Sequence, residues 1–163
     1  MKVIIAGGGI GGLCAAIALQ QDGNEVWVYE RAESIGEVGA GLTLWSNAVK
    51  VLRKVGIADL VIAAGAKIKK SKLLTSNGEV LSTAGIERLE EHFGEPVIGI
   101  HRAALHEILI RSLKPNTLKL AMPCVRFEQG HEKVTAHFAN GDTDIADLLI
   151  SADGIHSVIR RQM

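Results

Sequence analysis

The chain has 163 residues, 47% of them hydrophobic and 22% charged, with 18 Lys plus Arg against 18 Asp plus Glu. This length supports a substantial core, and a net charge of zero gives no basis for nucleic acid as a partner. No apolar run approaches the roughly 20 residues that span a bilayer, and Cys14 and Cys124 lie far apart without metal-ligand spacing, which points to reduced thiols and a cytoplasmic setting.

The first 30 residues organise the rest. Val3 to Ala6 is a short apolar run stopped by glycine, the pattern of a buried strand. Gly7, Gly9 and Gly12 then give the spacing G-x-G-x-x-G. A helical apolar pattern follows from Leu13 to Leu19, and a second strand from Glu25 to Tyr29. Glu30 closes that strand 18 residues after Gly12. Gly7 permits the tight turn out of the strand, Gly9 lets a pyrophosphate approach the backbone, and Gly12 lets the helix pack closely on the sheet. The helix amides and dipole face the phosphates, and Glu30 is placed to accept ribose hydroxyls. The pattern predicts an α/β, Rossmann-like dinucleotide site. Lys2 and the alanine-rich run could imitate a signal peptide, but five glycines within Gly7 to Gly12 would break its helical core.

Gly36 to Gly41 reads as a loop of small residues. A helix is expected to start at Ser46 or Asn47, both good caps, with Val49, Leu52 and Val55 on its apolar face and Gly56 ending it. A shorter helix covers Asp59 to Ala64. Lys67 to Thr75 mixes basic and apolar residues, and Asn77-Gly78 predicts a hairpin turn into Glu79 to Ser82. The lysines Lys67, Lys69, Lys70 and Lys72 fit a solvated strand face better than a phosphate site. Glu87 to Phe93 reads as a polar helix, Val97 to Ile100 as a strand, and Arg102 to Leu113 as an amphipathic helix. Leu118 to Leu120 is expected in the parallel sheet. Val125 to Gln129, Lys133 to Phe138 and Thr143 to Asp147, with a turn at Asn140-Gly141, predict a β-meander laid on that sheet. Leu148 to Ser151 reads as a final buried strand, leading through Asp153-Gly154 to a short helix, Ile155 to Arg161.

Four segments together resemble the single-component FAD-dependent aromatic hydroxylases, the group that includes p-hydroxybenzoate, salicylate and urate hydroxylases and zeaxanthin epoxidase. They are Gly7 to Gly12 with Glu30-Arg31; Gly39 to Ala48; His101-Arg102-Ala103-Ala104-Leu105; and Ser151-Ala152-Asp153-Gly154-Ile155-His156-Ser157-Val158-Ile159-Arg160, which is similar to the family's D-G-x-x-S-x-x-R fingerprint. The resemblance implies a FAD-binding domain over residues 1–163, built from a parallel sheet with helices plus a β-meander. It also implies that residues 67–100 are an inserted part of the substrate-domain sheet. It implies FAD as cofactor and NAD(P)H as co-substrate, with one atom of O2 passed to a small aromatic or unsaturated substrate. Gly7, Gly9, Ile10, Gly11 and Gly12 would line the pyrophosphate. Glu30 would hold the adenosine ribose with Arg31 beside it, and Thr43 would sit near the flavin. Arg102 would reach the pyrophosphate or ribityl region, where a guanidinium suits phosphate. Val125 would set its backbone against the adenine, and Asp153 would serve both cofactors. Ser157 and Arg160 would hold the fingerprint in shape.

Members of that family run to more than twice this length and carry a second, Gly-Asp motif for the ribityl chain. Gly141-Asp142 sits in a hairpin turn with the wrong sequel. The expectation is therefore an apparently truncated, N-terminal portion that exposes sheet surface, self-associates or pairs with the missing C-terminal half. No catalytic or metal-binding residue is expected: His101, His106, His131, His137 and His156 show no triad spacing. Two other readings stay open. One is a dinucleotide-binding module without turnover of its own, the other a related FAD-dependent reductase of isoprenoid lipids.

Overall fold

The structure, a computed structural model, describes residues 1–36 and 40–163. In chain order the elements are β1 Lys2–Ala6, α1 Ile10–Gln21, β2 Glu25–Tyr29, β3 Gly41–Leu44, α2 Ser46–Lys54 and α3 Ala58–Ala64. Then come β4 Ala66–Lys67, β5 Lys70–Leu74, β6 Val80–Gly85, α4 Glu87–Phe93, β7 Ile98–His101 and α5 Arg102–Arg111. The last five are β8 Leu118–Lys119, β9 Cys124–Gln129, β10 Val134–Phe138, β11 Thr143–Ala146 and β12 Leu148–Ser151. They form two compact units, residues 1–37 with 109–163, and residues 38–108. No helix of the described residues is long and apolar enough to cross a membrane.

In the first unit, β12-β1-β2-β8 make a parallel sheet. Val3, Ile4, Ile5 and Ala6 are all buried, as a near-continuous apolar strand must be when both faces of a parallel sheet are covered. One cover is α1, through Leu13, Ala16 and Ile17; each large aliphatic buried there is worth about 1.5–3 kcal/mol. The other is the antiparallel meander β11-β10-β9. Strand β10 alternates strictly, and its inward Val134, Ala136 and Phe138 join Ile4, Tyr29 and Ala146 in one cluster. The Tyr29 and Phe138 rings lie 4.3 Å apart, tilted by 36°. The Tyr29 hydroxyl donates to Asp144 Oδ2 at 2.8 Å, and Lys2 forms an ion pair with the other Asp144 oxygen. The expected meander on the nucleotide-binding sheet is what forms.

In the second unit, β3-β7-β4 form an antiparallel sheet, and Val49, Leu52, Val61, Ile98 and Ile100 are buried. Arg53 Nε and Nη2 grip both oxygens of Glu95 at 2.8 and 3.0 Å. The hairpin β5–β6 turns at Gly78, φ +87°, and is exposed along both strands. Lys67 pairs with Glu90 at 2.9 Å, which fits the solvated-face reading of the lysines.

Four sequence expectations are corrected. Strand β12 is an edge strand, not a buried one: Leu148 is 41% exposed. Ile155 to Arg161 is a run of turns rather than a helix, because side-chain oxygens of Asp153 and Ser157 take the amides of Val158, Ile159 and Arg160, replacing a helical ladder. The cap of α2 is Trp45, whose carbonyl accepts from Ala48 and Val49. Ser46 is already helical and buried on the side of Val49, three residues on. Strand β3 was not expected at all; four residues carry too little alternation to announce it. Residues 37–39 of the expected loop, including Gly39 of the family-like segment, lie outside the described residues.

Candidate dinucleotide-binding site

The glycine loop is shaped by what surrounds it. The Gly7 amide donates to Tyr29 O at 2.8 Å, and the Ala152 amide to Ala6 O at 2.8 Å. Gly7 has φ +112°, and a Cβ there would stand 2.3 Å from Ala152 O. A Cβ on Gly12 would stand 2.1 Å from Gly7 O and 3.2 Å from Ala152 Cβ. At both positions a side chain would therefore force the backbone to shift. The loop and the segment before Asp153 are packed as one piece. By contrast, a Cβ on Gly9 or Gly11 would meet nothing within 4 Å.

Gly9 caps α1 with extended backbone (φ −72°, ψ 176°) and offers no side chain; the first turn carries no acid. The ladder begins with the Leu13 amide on Gly9 O at 2.9 Å, so the amides of Ile10, Gly11 and Gly12 precede it. An uncapped helix start with open space over two glycines is the geometry that receives an anion.

Glu30 is tied to the same loop. Its Oε2 accepts the Gly8 amide at 2.6 Å, and its Oε1 accepts the Ala32 amide at 3.0 Å. A Cβ on Gly8 would crowd the same side chain, 3.0 Å from Glu30 Cβ. Arg31 follows, exposed.

Asp153 is held inside its own segment. Oδ1 accepts from Ser151 Oγ at 2.7 Å, and Oδ2 accepts the Val158 and Ile159 amides at 2.7 and 3.3 Å. Burial pushes the carboxyl up, and hydrogen bonds from the serines and backbone outweigh it, leaving its pKa below the usual carboxylate value. Ser157, 3% exposed, lies 3.0 Å from Ser151 Oγ, and Arg160 Nη2 donates to Ile155 O at 2.7 Å. These two residues hold the turn.

Val125 occupies an irregular place in the meander. On β9 and β10, Arg126 faces His137 while Cys124 faces Phe138, so Val125 faces no residue. It is the extra residue of a β-bulge, a feature over-represented beside functional sites. Thr43 and Arg102 belong to the second unit. Thr43 sits exposed on β3, opposite Gly99. It lines an open hollow of about 700 Å³ with Gly65, Ala66, Gly99, Ile100 and His101. Arg102, exposed, begins α5, its amide donating to Ala40 O at 3.2 Å. A larger hollow of about 1,020 Å³, lined by residues including Trp27, Tyr29 and Met122, contains none of the expected site residues.

Cys14 is half-buried on α1, and burial raises its pKa, which leaves an unreactive thiol. Sequence reasoning places Gly8 and Ala152 inside the family-like segments but gives them no role; the structure packs them against Glu30 and the glycine loop. That placement was the only signal.

A family profile described as FAD binding domain matches residues 1–163. The chain belongs to this family. The FAD-binding domain is 35% identical over 163 residues to aurachin C monooxygenase/isomerase of Stigmatella aurantiaca, covering all of this chain and 43% of the relative. It is 35% identical to 3-amino-4-hydroxybenzoate 2-monooxygenase of Streptomyces cremeus, covering 42% of that protein. It is 33% identical to FAD-dependent urate hydroxylase of Klebsiella pneumoniae, covering 98% of this chain and 42% of the other. Among solved structures, Klebsiella pneumoniae HpxO complexed with FAD and uric acid superposes with a TM-score of 0.92 at 31% identity, over 99% of this chain and 41% of that one. A tetrameric form of 2-methyl-3-hydroxypyridine-5-carboxylic acid oxygenase gives 0.85 at 27%, over 98% and 41%. The FAD-binding domain thus spans about two fifths of the length of the curated relatives it matches.

Proposed function

We propose that this chain is the FAD-binding portion of a flavin-dependent monooxygenase that uses NAD(P)H and O2 to hydroxylate or epoxidise a small aromatic or unsaturated compound. The observation that carries the reading is the single packed piece made by the glycine loop, Glu30 and the Asp153 segment, in a chain whose relatives are monooxygenases. The residues present fit FAD: the α1 start is uncapped, without acid in its first turn, and open over Gly9 and Gly11. When bound, FAD would carry electrons from the nicotinamide to oxygen, chemistry that belongs to the cofactor.

The chain's own residues bind and orient. Gly7, Gly9, Ile10, Gly11 and Gly12 would hold the pyrophosphate against the helix start. Glu30 would turn its remaining acceptor capacity to the ribose while anchoring Gly8, with Arg31 at the rim. The Val125 backbone would meet the adenine. Thr43 and Arg102 would serve the flavin and ribityl end, and Asp153 would keep its segment rigid for both cofactors. Residues 67–100 would form part of the substrate side. Two free cysteines fit a cytoplasmic setting.

The test is direct. Heat release from the purified chain, followed by chromatography, should recover FAD; a chain that neither retains nor takes up FAD refutes the reading. A second reading is a dinucleotide-binding module without turnover of its own that works with a partner chain; what favours it is that the match is to a FAD binding domain. The exposed hairpin β5–β6 would be the surface for that pairing or for self-association. NAD(P)H oxidation dependent on O2 by this chain alone would exclude the second reading.

A further inference from the structure

Gln162 makes an unusual use of its carboxamide. Its Oε1 accepts the Phe127 amide at 3.1 Å, and its Nε2 donates to Val125 O at 3.2 Å. A carboxamide carries one acceptor and one donor group side by side, like a peptide unit. Gln162 therefore pairs with β9 as a strand would. It does so on the edge where, among the described residues, no strand pairs, the sheet order being β11-β10-β9. It spans the bulge at Val125. The Nε2 also lies 3.4 Å from Val158 O, and the Val158 amide donates to Asp153 Oδ2 at 2.7 Å. A continuous run of hydrogen bonds thus joins the Asp153 segment to the bulge.

This arrangement has a chemical consequence. Gln162 thus holds the Val125 carbonyl and the Phe127 amide, the two backbone groups on either side of Arg126 at the bulge. Adenine offers both acceptor ring nitrogens and an amino donor. A backbone segment held in one orientation presents its polar groups to such an edge without further ordering.

We infer that Gln162 is a positioning residue for the adenine end of the cofactor: it clamps the bulge so that the Val125 backbone stands fixed against the adenine edge. This rests on the reading of Val125 as the adenine's neighbour. Gln162 touches no cofactor atom in this scheme and acts through Val125. The Val158 contact extends the clamp, so the segment that packs against Gly7 and Gly12 also sets the adenine edge.

The test uses two probes, ADP and inorganic pyrophosphate, with amide chemical shifts of the purified chain as readout. Both probes reach the glycine loop, and only ADP brings an adenine. In the wild type, ADP should move the Val125 amide and pyrophosphate should not. Gln162→Ala should weaken ADP about tenfold, the scale of one ordinary hydrogen bond, and leave pyrophosphate affinity unchanged. Gln162→Glu, which sets an acceptor against the Val125 carbonyl, should lose at least as much. If ADP leaves the Val125 amide unmoved in the wild type, the underlying reading fails and this inference with it. If that amide moves but both variants bind ADP as the wild type does, the reading stands and the role of Gln162 is overturned. Equal losses for ADP and pyrophosphate would also overturn it, since a merely structural side chain would weaken both.

Discussion

Replacing Gly12 and Gly11 by alanine, one at a time, separates packing from binding within one turn of helix. A Cβ on Gly12 would sit 2.1 Å from Gly7 O, where real Cβ atoms essentially never come within 3.0 Å. The backbone of the loop must move by roughly 1 Å, since Gly7 O is not the tip of a flexible side chain and Gly7 is itself wedged against Ala152. Overpacking of this kind costs about 1–3 kcal/mol, and the helix gains back about 0.5–1 kcal/mol from losing a glycine. The net loss centres on roughly 1 kcal/mol, a fall in Tm of a few degrees at roughly 2–4 °C per kcal/mol for a chain of this size. Gly11 has nothing within 4 Å of its Cβ position. Gly11→Ala should hold or raise Tm while placing a methyl group where the pyrophosphate is proposed to lie, so flavin affinity falls without loss of fold. Thermal melts by circular dichroism and FAD titration read both effects. A Gly12→Ala chain that melts like the wild type, or a Gly11→Ala chain that is the less stable of the two, would refute the packing argument.

Three further outcomes follow from the geometry. Tyr29 is the chain's one tyrosine, so phenolate absorbance reports it alone. Burial and then the bond to Asp144 raise its pKa well above the ordinary value near 10, so the folded chain should show no phenolate absorbance at pH 10.5 while the urea-unfolded chain does. Because the folded pKa is the higher one, this group's stabilisation is full below about pH 10 and is lost as pH rises beyond it. Tyr29→Phe should remove that decline. Asp153→Ala leaves the Val158 and Ile159 amides without their acceptor and should cost about 1–3 kcal/mol at pH 7. Here the folded pKa is depressed, so the wild type's advantage is present above about pH 4 and should shrink as pH falls through the folded value; urea midpoints at pH 7 and pH 3 measure it. Phe138→Ala, removing a ring that is 4% exposed and stacked on Tyr29, should cost about 3–5 kcal/mol, and an unchanged urea midpoint would deny the meander its part in the core.

How much was legible in the sequence depended on whether the signal was local. Strand β2 and helix α4 ended where their residues predicted, because glycine, apolar period and charge all changed at the same positions. The G-x-G-x-x-G spacing, the closing acid at Glu30 and both Asn-Gly turns are likewise local chemistry. Strand β3 was invisible because four residues cannot show a period. Ile155 to Arg161 was misread as helical because its residues have adequate helix propensity, while the acceptors that take their amides, Asp153 and Ser157, act through geometry rather than pattern.

The sequence by itself determined the βαβ start, the polarity of the helix end that faces an anion, and the strand count of the meander. These follow from steric rules for glycine, from helix and strand periods, and from backbone dipoles, all of which operate over a few residues. Tertiary structure alone decided that Ala152 wedges the glycine loop, that Glu30 anchors Gly8, and that Gln162 bridges a bulge at Val125. Each of these joins residues 22 to more than 140 positions apart in sequence. Their contact exists only because burying Val3 to Ala6 from both sides forces β12, β2 and the meander around one strand.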